Sequence, residues 1–275
     1  MNSSKKDKNL SFWTTRRNKI STSVGKWTGG EDVICHGHLM MKDLLGNISY
    51  MQMLVLNITG RLVDEKVAKW LEGNFIGVSY PDVRIWCNTI GALAGTTKTS
   101  VVSATVAGTL AADSRGYGGS QTSVYGMKFI QNALKQKQSG MTLEQIIKNA
   151  NYKNGKPVIT GYARPVARND ERLEPHQRMT EKLGFSVGEH LKLAWEINDY
   201  LEQHHDLAMN VAGYSCAFLS DQGFSPQEVY RIKSLMVASG VTACYVDYYE
   251  RTSGSFLPQR CDDIEYDGHP IRTID

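Results

Sequence analysis

Residues 160–173 read T-G-Y-A-R-P-V-A-R-N-D-E-R-L, which sets Arg164, Arg168 and Arg172 four residues apart behind a Gly161-Tyr162 turn. Glycine permits a tight backbone approach, Pro165 fixes the local direction, and guanidinium groups grip carboxylates and phosphates through paired hydrogen bonds. The pattern points to an anion site. Spacing alone leaves a second reading open: a solvated basic face at a helix start, with Asp170 and Glu171 neutralising part of the charge.

Two more segments bear on the choice. Residues 31–45 read E-D-V-I-C-H-G-H-L-M-M-K-D-L-L, and residues 207–224 read L-A-M-N-V-A-G-Y-S-C-A-F-L-S-D-Q-G-F. The 160–173 stretch resembles the Gly-Tyr-Gly-His-x-(Val/Leu)-x-Arg-x-x-Asp-x-Arg loop of the citrate synthase superfamily, which includes citrate synthases, citryl-CoA lyases and the lyase domain of ATP-citrate lyase. The earlier segment is similar to the opening of the short bacterial citryl-CoA lyase-like proteins. The later one is similar to the family's Pro-Asn-Val-Asp-(Gly/Ala) helix start. All three occur in the family's order and separation, so the resemblance covers roughly residues 30–252. It implies an all-α, citrate synthase-like fold: a basic N-terminal arm (1–29), a large helical domain (30–119 with 213–275) and a smaller inserted helical domain (120–212).

By matching residues, the resemblance implies that Arg172 grips a substrate carboxylate and that Arg168 meets a coenzyme A phosphate. Arg164 stands where the family has a carbonyl-polarising histidine, and Ala212 where it has the aspartate that takes a proton from the acyl-CoA methyl group. A methyl side chain cannot act as a base, and an arginine with a pKa above ~12 is a poor proton shuttle. A permanent cation at 164 can still stabilise a developing enolate or oxyanion. The family's earlier histidines are missing near residues 78–88 and 117–120, as is an arginine near 236–240. Asp170, Glu171, Asp113 and Asp206 are candidate replacement bases, and nothing in the sequence selects one. His38, in the family-like opening segment, is a candidate polar contact to substrate, with ordinary packing as its other role.

Composition sets the outer bounds. A chain of 275 residues with 41% hydrophobic and 21% charged residues is that of an ordinary globular protein. The net charge of +3 is no nucleic-acid footprint, although Lys5, Lys6, Lys8, Arg16, Arg17 and Lys19 crowd the start and suggest a partly disordered arm. No apolar run spans a bilayer and no secretory signal core is present, so a cytoplasmic protein is expected. Cys35, Cys87, Cys216, Cys244 and Cys261 form no CxxC pair, and four of them sit among apolar neighbours as small core residues. His36-Gly37-His38 and His204-His205 lack a third ligand at zinc spacing, so no metal is expected.

Helical periodicity dominates the chain. Residues 54–71 predict two helices broken at Gly60-Arg61. Residues 88–112, rich in Gly, Ala, Ser and Thr, predict two closely packed helices split near 95–99. The resemblance places these at a homodimer interface; the other reading is a monomer core. Residues 114–123 form a glycine-rich loop that is no P-loop and fits a hinge. Thr142 is a predicted N-cap, residues 153–156 a turn, and residues 190–205 an amphipathic helix in which Trp195 faces the core.

Three functions follow. The first is an enzyme that forms or cleaves a carbon–carbon bond on a carboxylate or acyl-CoA substrate, with a coenzyme A thioester as that substrate. The second is a non-catalytic anion- or CoA-binding protein of the same fold. The third is a structural partner of a related enzyme chain.

Overall fold

The computed structural model describes residues 4–114, 119–164 and 169–274. Pro165, Arg168 and the 115–118 part of the glycine-rich loop lie outside the described residues. The chain divides into two compact units, Met1–Lys69 and Trp70–Asp275.

The first unit begins with α1 (Ser4–Arg16), a helix where the sequence suggested a partly disordered arm. Three short antiparallel strands follow, β1 (Gly25–Trp27), β2 (Val33–Cys35) and β3 (His38–Leu39). His36 and Gly37 make the β2–β3 turn at φ +46° and +86°, the left-handed pair that matches strand twist in a two-residue hairpin. The His-Gly-His run is therefore a turn element. Asp32 pins the sheet to the next turn by accepting from Val33 N (2.7 Å) and Met41 N (2.8 Å). In α2 (Tyr50–Thr59) a Ser49–Gln52 capping box starts the helix and Gly60, at φ +74°, ends it. Its Leu56 packs with Cys35 and Leu44. The helix α3 (Glu65–Val78) begins in this unit and continues into the next.

Two helix groups make up the second unit. In one, α4 (Trp86–Thr96), α5 (Val101–Ala112) and, from the far end of the chain, α12 (Ala238–Glu250) pack together. A Cβ on Gly91 would stand 2.5 Å from Val241 O, one on Gly95 2.4 Å from Tyr245 O, and one on Gly108 2.4 Å from a Val241 methyl. The small-residue run thus lets α12 close onto α4 and α5 within one chain. The other face of α5 stays open, with Val102 at 70% and Leu110 at 74% exposure.

The second group contains α6 (Thr122–Gln138), α7 (Leu143–Lys148), the hairpin β4 (Tyr152–Lys153) and β5 (Lys156–Pro157), α8 (Leu173–Lys182), α9 (Glu189–His205), α10 (Val211–Asp221) and α11 (Pro226–Ile232). Thr142 caps α7 through a box with Gln145, as its position predicts. The core helix is α10, buried at Val211 and from Gly213 through Ser220. Its Phe218 stacks on Trp70 at 4.0 Å, and its Asp221 caps α9 by accepting from His190 N (2.9 Å) and Leu191 N (3.0 Å). Cys35, Cys87, Cys216 and Cys244 are buried and Cys261 is exposed. Among the described residues the sheets are only these two small ones, so the architecture is all-α.

Candidate functional site

The start of α10 organises the site, because the 161–164 turn is docked on it by backbone. Gly161 sits at φ +102°, and a Cβ there would lie 2.6 Å from Gly213 Cα. A Cβ on Gly213 would lie 2.5 Å from Gly161 O, so each glycine is required by the other. Asn210 N donates to Gly161 O (2.8 Å) and its side-chain amide to Ala163 O (2.6 Å). The same side chain caps α10 by accepting from Ala212 N (2.9 Å) and Gly213 N (3.2 Å). Tyr162 anchors the turn from below through its hydroxyl on Ala194 O (3.1 Å).

Asp170 joins the arginines to this helix. Its side chain is 0% exposed. One oxygen accepts from Arg172 Nε (2.7 Å) and Arg172 N (3.1 Å), the other from an Arg172 terminal nitrogen (2.8 Å) and Val211 N (2.8 Å). Burial pushes the carboxyl upward, but the Arg172 and Val211 hydrogen bonds outweigh it and hold Asp170 below the usual range. The first three amides of α10 are therefore all taken, and its N-terminus is no vacant anion hole.

Arg164 approaches the same carboxylate at 3.6 Å, donates to Asn169 O at 3.0 Å and pairs with Glu171 at 2.5 Å. The Glu171 hydrogen bond raises the guanidinium's pKa, and Arg164 in turn lowers that of Glu171. The structure thus brings Arg164 and Arg172 together, each with a carboxylate partner. Arg168 lies outside the described residues, and His38 stands on β3 in the first unit. Of the candidate bases, Asp170 is fully engaged and Glu171 is paired with Arg164. Asp113 accepts from Gln121 N (3.0 Å) and the Tyr230 hydroxyl (2.7 Å), and Asp206 ends α9 at φ +53°.

Beside Arg172 the helices α3 and α8 enclose a cleft of ≈ 270 Å³ lined by Gly73, Gly77, Arg172, Pro175, His176 and Met179. His176 donates through Nδ1 to Arg172 O (2.7 Å) and accepts through Nε2 from the Asn74 amide (3.0 Å), which fixes a neutral ring. Burial, first, and the charges of Lys233 and Arg172 keep its pKa low. A larger open groove of ≈ 470 Å³ around His190 and Phe224 shares no residue with the arginine cluster.

One residue of this corner went unread in the sequence. Lys233, in the turn between α11 and α12, is buried and donates from Nζ to Ser215 Oγ (3.0 Å). Its apolar neighbours Ile232 and Leu235 could have flagged a lysine inside a hydrophobic run. No group of three or more His, Cys, Asp or Glu able to hold a metal occurs among the described residues.

No family model matches this sequence, and no curated protein does. Solved structures do resemble it. Citryl-CoA lyase from Hydrogenobacter thermophilus superposes with a TM-score of 0.77 at 23% identity, over 93% of this chain and 97% of that one. ATP citrate lyase from Methanothrix soehngenii, in complex with citrate and coenzyme A, gives 0.73 at 16% identity, over 96% of this chain and 44% of that one. Citrate synthase from Pyrobaculum aerophilum gives 0.60 at 17% identity, over 83% and 55%. The chain has the citrate synthase fold, as its three motifs imply.

Proposed function

We propose that the protein takes a carboxylate-bearing small molecule, as a coenzyme A thioester or beside one, and forms or cleaves a carbon–carbon bond on it by altered chemistry. The observation that carries this reading is the paired-glycine dock of the 161–164 turn on α10, which holds Arg164 and Arg172 at one corner of the citrate synthase fold. Arg172 is the carboxylate contact, Arg164 the cation for negative charge developing on oxygen, Arg168 the coenzyme A phosphate contact and His38 a further polar contact. A citrate synthase-like fold whose neighbours include a citrate and coenzyme A complex supports that ligand class.

Ala212 favours a second reading, a non-catalytic carboxylate- or CoA-binding protein, because a methyl group takes no proton. Thermal unfolding with coenzyme A, acetyl-CoA and citrate tests both. A ligand at one hundred times its dissociation constant adds ~2.7 kcal/mol. Stabilisation by none of them would end either reading. Thiol release from acetyl-CoA with oxaloacetate, and citryl-CoA cleavage, then separate the enzyme from the binder; ordinary citrate synthesis is expected to be undetectable.

The assembly is proposed as a cytoplasmic homodimer, supported by the open apolar face of α5 at Val102, Val106 and Leu110. A monomer mass by light scattering at micromolar concentration would remove it. Residues 120–212 are proposed as the inserted domain.

A further inference from the structure

His176 and Asn74 are 3% and 1% exposed, and the contact between them leaves one polar atom over. His176 commits its single imidazole proton to Arg172 O (2.7 Å), so Nε2 is an acceptor and only the amide nitrogen of Asn74 can serve it (3.0 Å). That orientation strands Asn74 Oδ1, which is buried with no hydrogen-bond partner among the described residues. A buried acceptor left unsatisfied costs free energy, and such an exception needs a cause. Turning the amide over about its last torsion aims Oδ1 at Nε2 instead, an arrangement that suits a ring carrying two protons.

The ring itself is held. Trp70 and Tyr214 stand edge-on to it, with centroids 5.9 and 6.3 Å away, and α3 presses so close that a Cβ on Gly77 would lie 2.9 Å from its Cε1. Burial is the largest influence on its charge and holds the imidazole below its ordinary range in the free protein. Lys233, in the turn before α12, and Arg172, at the start of α8, also oppose a second proton, while Asp170 favours one. Tyr214 of α10 is kept neutral by burial, and Glu171, on the wall of the same cleft, is paired with Arg164. His176 and Arg172 both line the ≈ 270 Å³ cleft between α3 and α8, so an anion entering it meets the two together.

We propose that Asn74 and His176 form a proton switch on Arg172: when the ring takes a second proton the Asn74 amide turns over to receive it, and the added charge strengthens the hold of the cleft on an anionic ligand. This rests on the carboxylate-binding function proposed above. An anion beside Arg172 offsets the burial and the two cations, so binding raises the affinity of His176 for its second proton and takes that proton up. By the same linkage, ligand affinity climbs as pH falls through the titration of the ring.

The test follows isotope-labelled histidine in the full chain by NMR from about pH 5.5 to about pH 7.5, with and without oxalate, whose two carboxylates stay ionised over that range. Without ligand His176 should show the tautomer with its proton on Nδ1, and oxalate should shift its titration upward. Oxalate affinity by calorimetry should rise about three- to tenfold from the alkaline to the acid end. Asn74→Leu removes the acceptor for the second proton and should flatten that rise, whereas a merely structural role for Asn74 would change affinity equally at every pH. Asn74→Asp sets a carboxylate against Nε2 and should keep the ring charged across the range, flattening the profile from the other side. An affinity that does not vary with pH, or a rise that survives in Asn74→Leu, overturns the switch and leaves the functional reading. Where Asn74→Leu does not melt cooperatively the wild-type spectra decide: a His176 titration that is the same with and without oxalate overturns the proposal. Coenzyme A is titrated separately: its binding without oxalate binding sinks this inference alone, and binding of neither sinks both.

Discussion

Asp170 and Lys233 are two buried ionisable groups held against the same helix, and they are treated in opposite ways. Asp170 meets four donors, two of them on a guanidinium and one on the first amide of α10, so its negative charge is stabilised where it stands. Lys233 meets one hydroxyl. The carboxylate behaves as a fastener between the 169–172 segment and α10; the amine lacks the partners that would make it one. Burial alone therefore separates nothing here. The partner count does, and it sets the four-donor carboxylate apart from the amine with a single acceptor.

The hardest way to break that contrast is Asp170→Ala. It strands the Arg172 guanidinium and Val211 N in the interior, and losing one partner of a buried pair costs about 3–5 kcal/mol. Urea unfolding should show that drop. The sign with pH follows from the lowered pKa. The unfolded carboxyl titrates near 3.8, so the stabilisation is complete above that value and lost as pH falls through the lower folded one. Asp170→Asn should flatten the acid limb; an unchanged limb would mean that Asp170 is no fastener.

Next in size is Gly213→Ala, whose Cβ would meet the Gly161 carbonyl at 2.5 Å. Backbone must move, and overpacking of this kind costs about 1–3 kcal/mol. Thermal melts read it, and Gly161→Ala adds strain at φ +102°. If either variant melts with wild type, the turn is not docked as described and the arginine corner loses its support.

Lys233→Met should move the other way, by about 1 kcal/mol of added stability near neutral pH, because an unfilled buried amine is exchanged for apolar contact. The wild-type amine binds its proton more weakly folded than unfolded. Wild-type stability therefore rises with pH between the lowered folded value and the unfolded 10.5, as the unfolded chain gives up its extra proton. The Met variant should lack that slope. A destabilised Met variant would make Lys233 a fastener like Asp170 and erase the comparison.

Much of the fastening side was legible in sequence because it is written in local spacing. The Gly-Tyr turn and the acid pair beside Arg172 lie within one short motif, and they reappear as the 161–164 dock and the four-donor carboxylate; the Asn210 cap of α10 was not read from the sequence. The α4 and α5 helices were readable from their small residues. Their partner was not, since α12 arrives from more than a hundred residues away to fill the gaps at Gly91, Gly95 and Gly108. Strands of two or three residues, such as Val33–Cys35, carry no periodicity to read. Lys233 left only a faint trace, a lysine between Ile232 and Leu235; that Nζ meets one hydroxyl across the fold is recorded by no linear pattern.

The smallest expected effect lies beside Asp170, at the exposed partner of Arg164. Glu171 is 67% exposed and holds Arg164 at 2.5 Å. Solvent screens such a pair, so Glu171→Gln should change stability by less than about 0.5 kcal/mol. Its effect on ligand should be larger than its effect on fold, because an incoming carboxylate no longer competes with Glu171 for the Arg164 guanidinium. Citrate affinity is expected to rise about two- to fivefold, and less so in added salt, which screens an exposed charge. Calorimetry on the variant reads both. If affinity falls instead, Glu171 is positioning Arg164 for the ligand, and the exposed ion pair belongs with Asp170 among the fasteners.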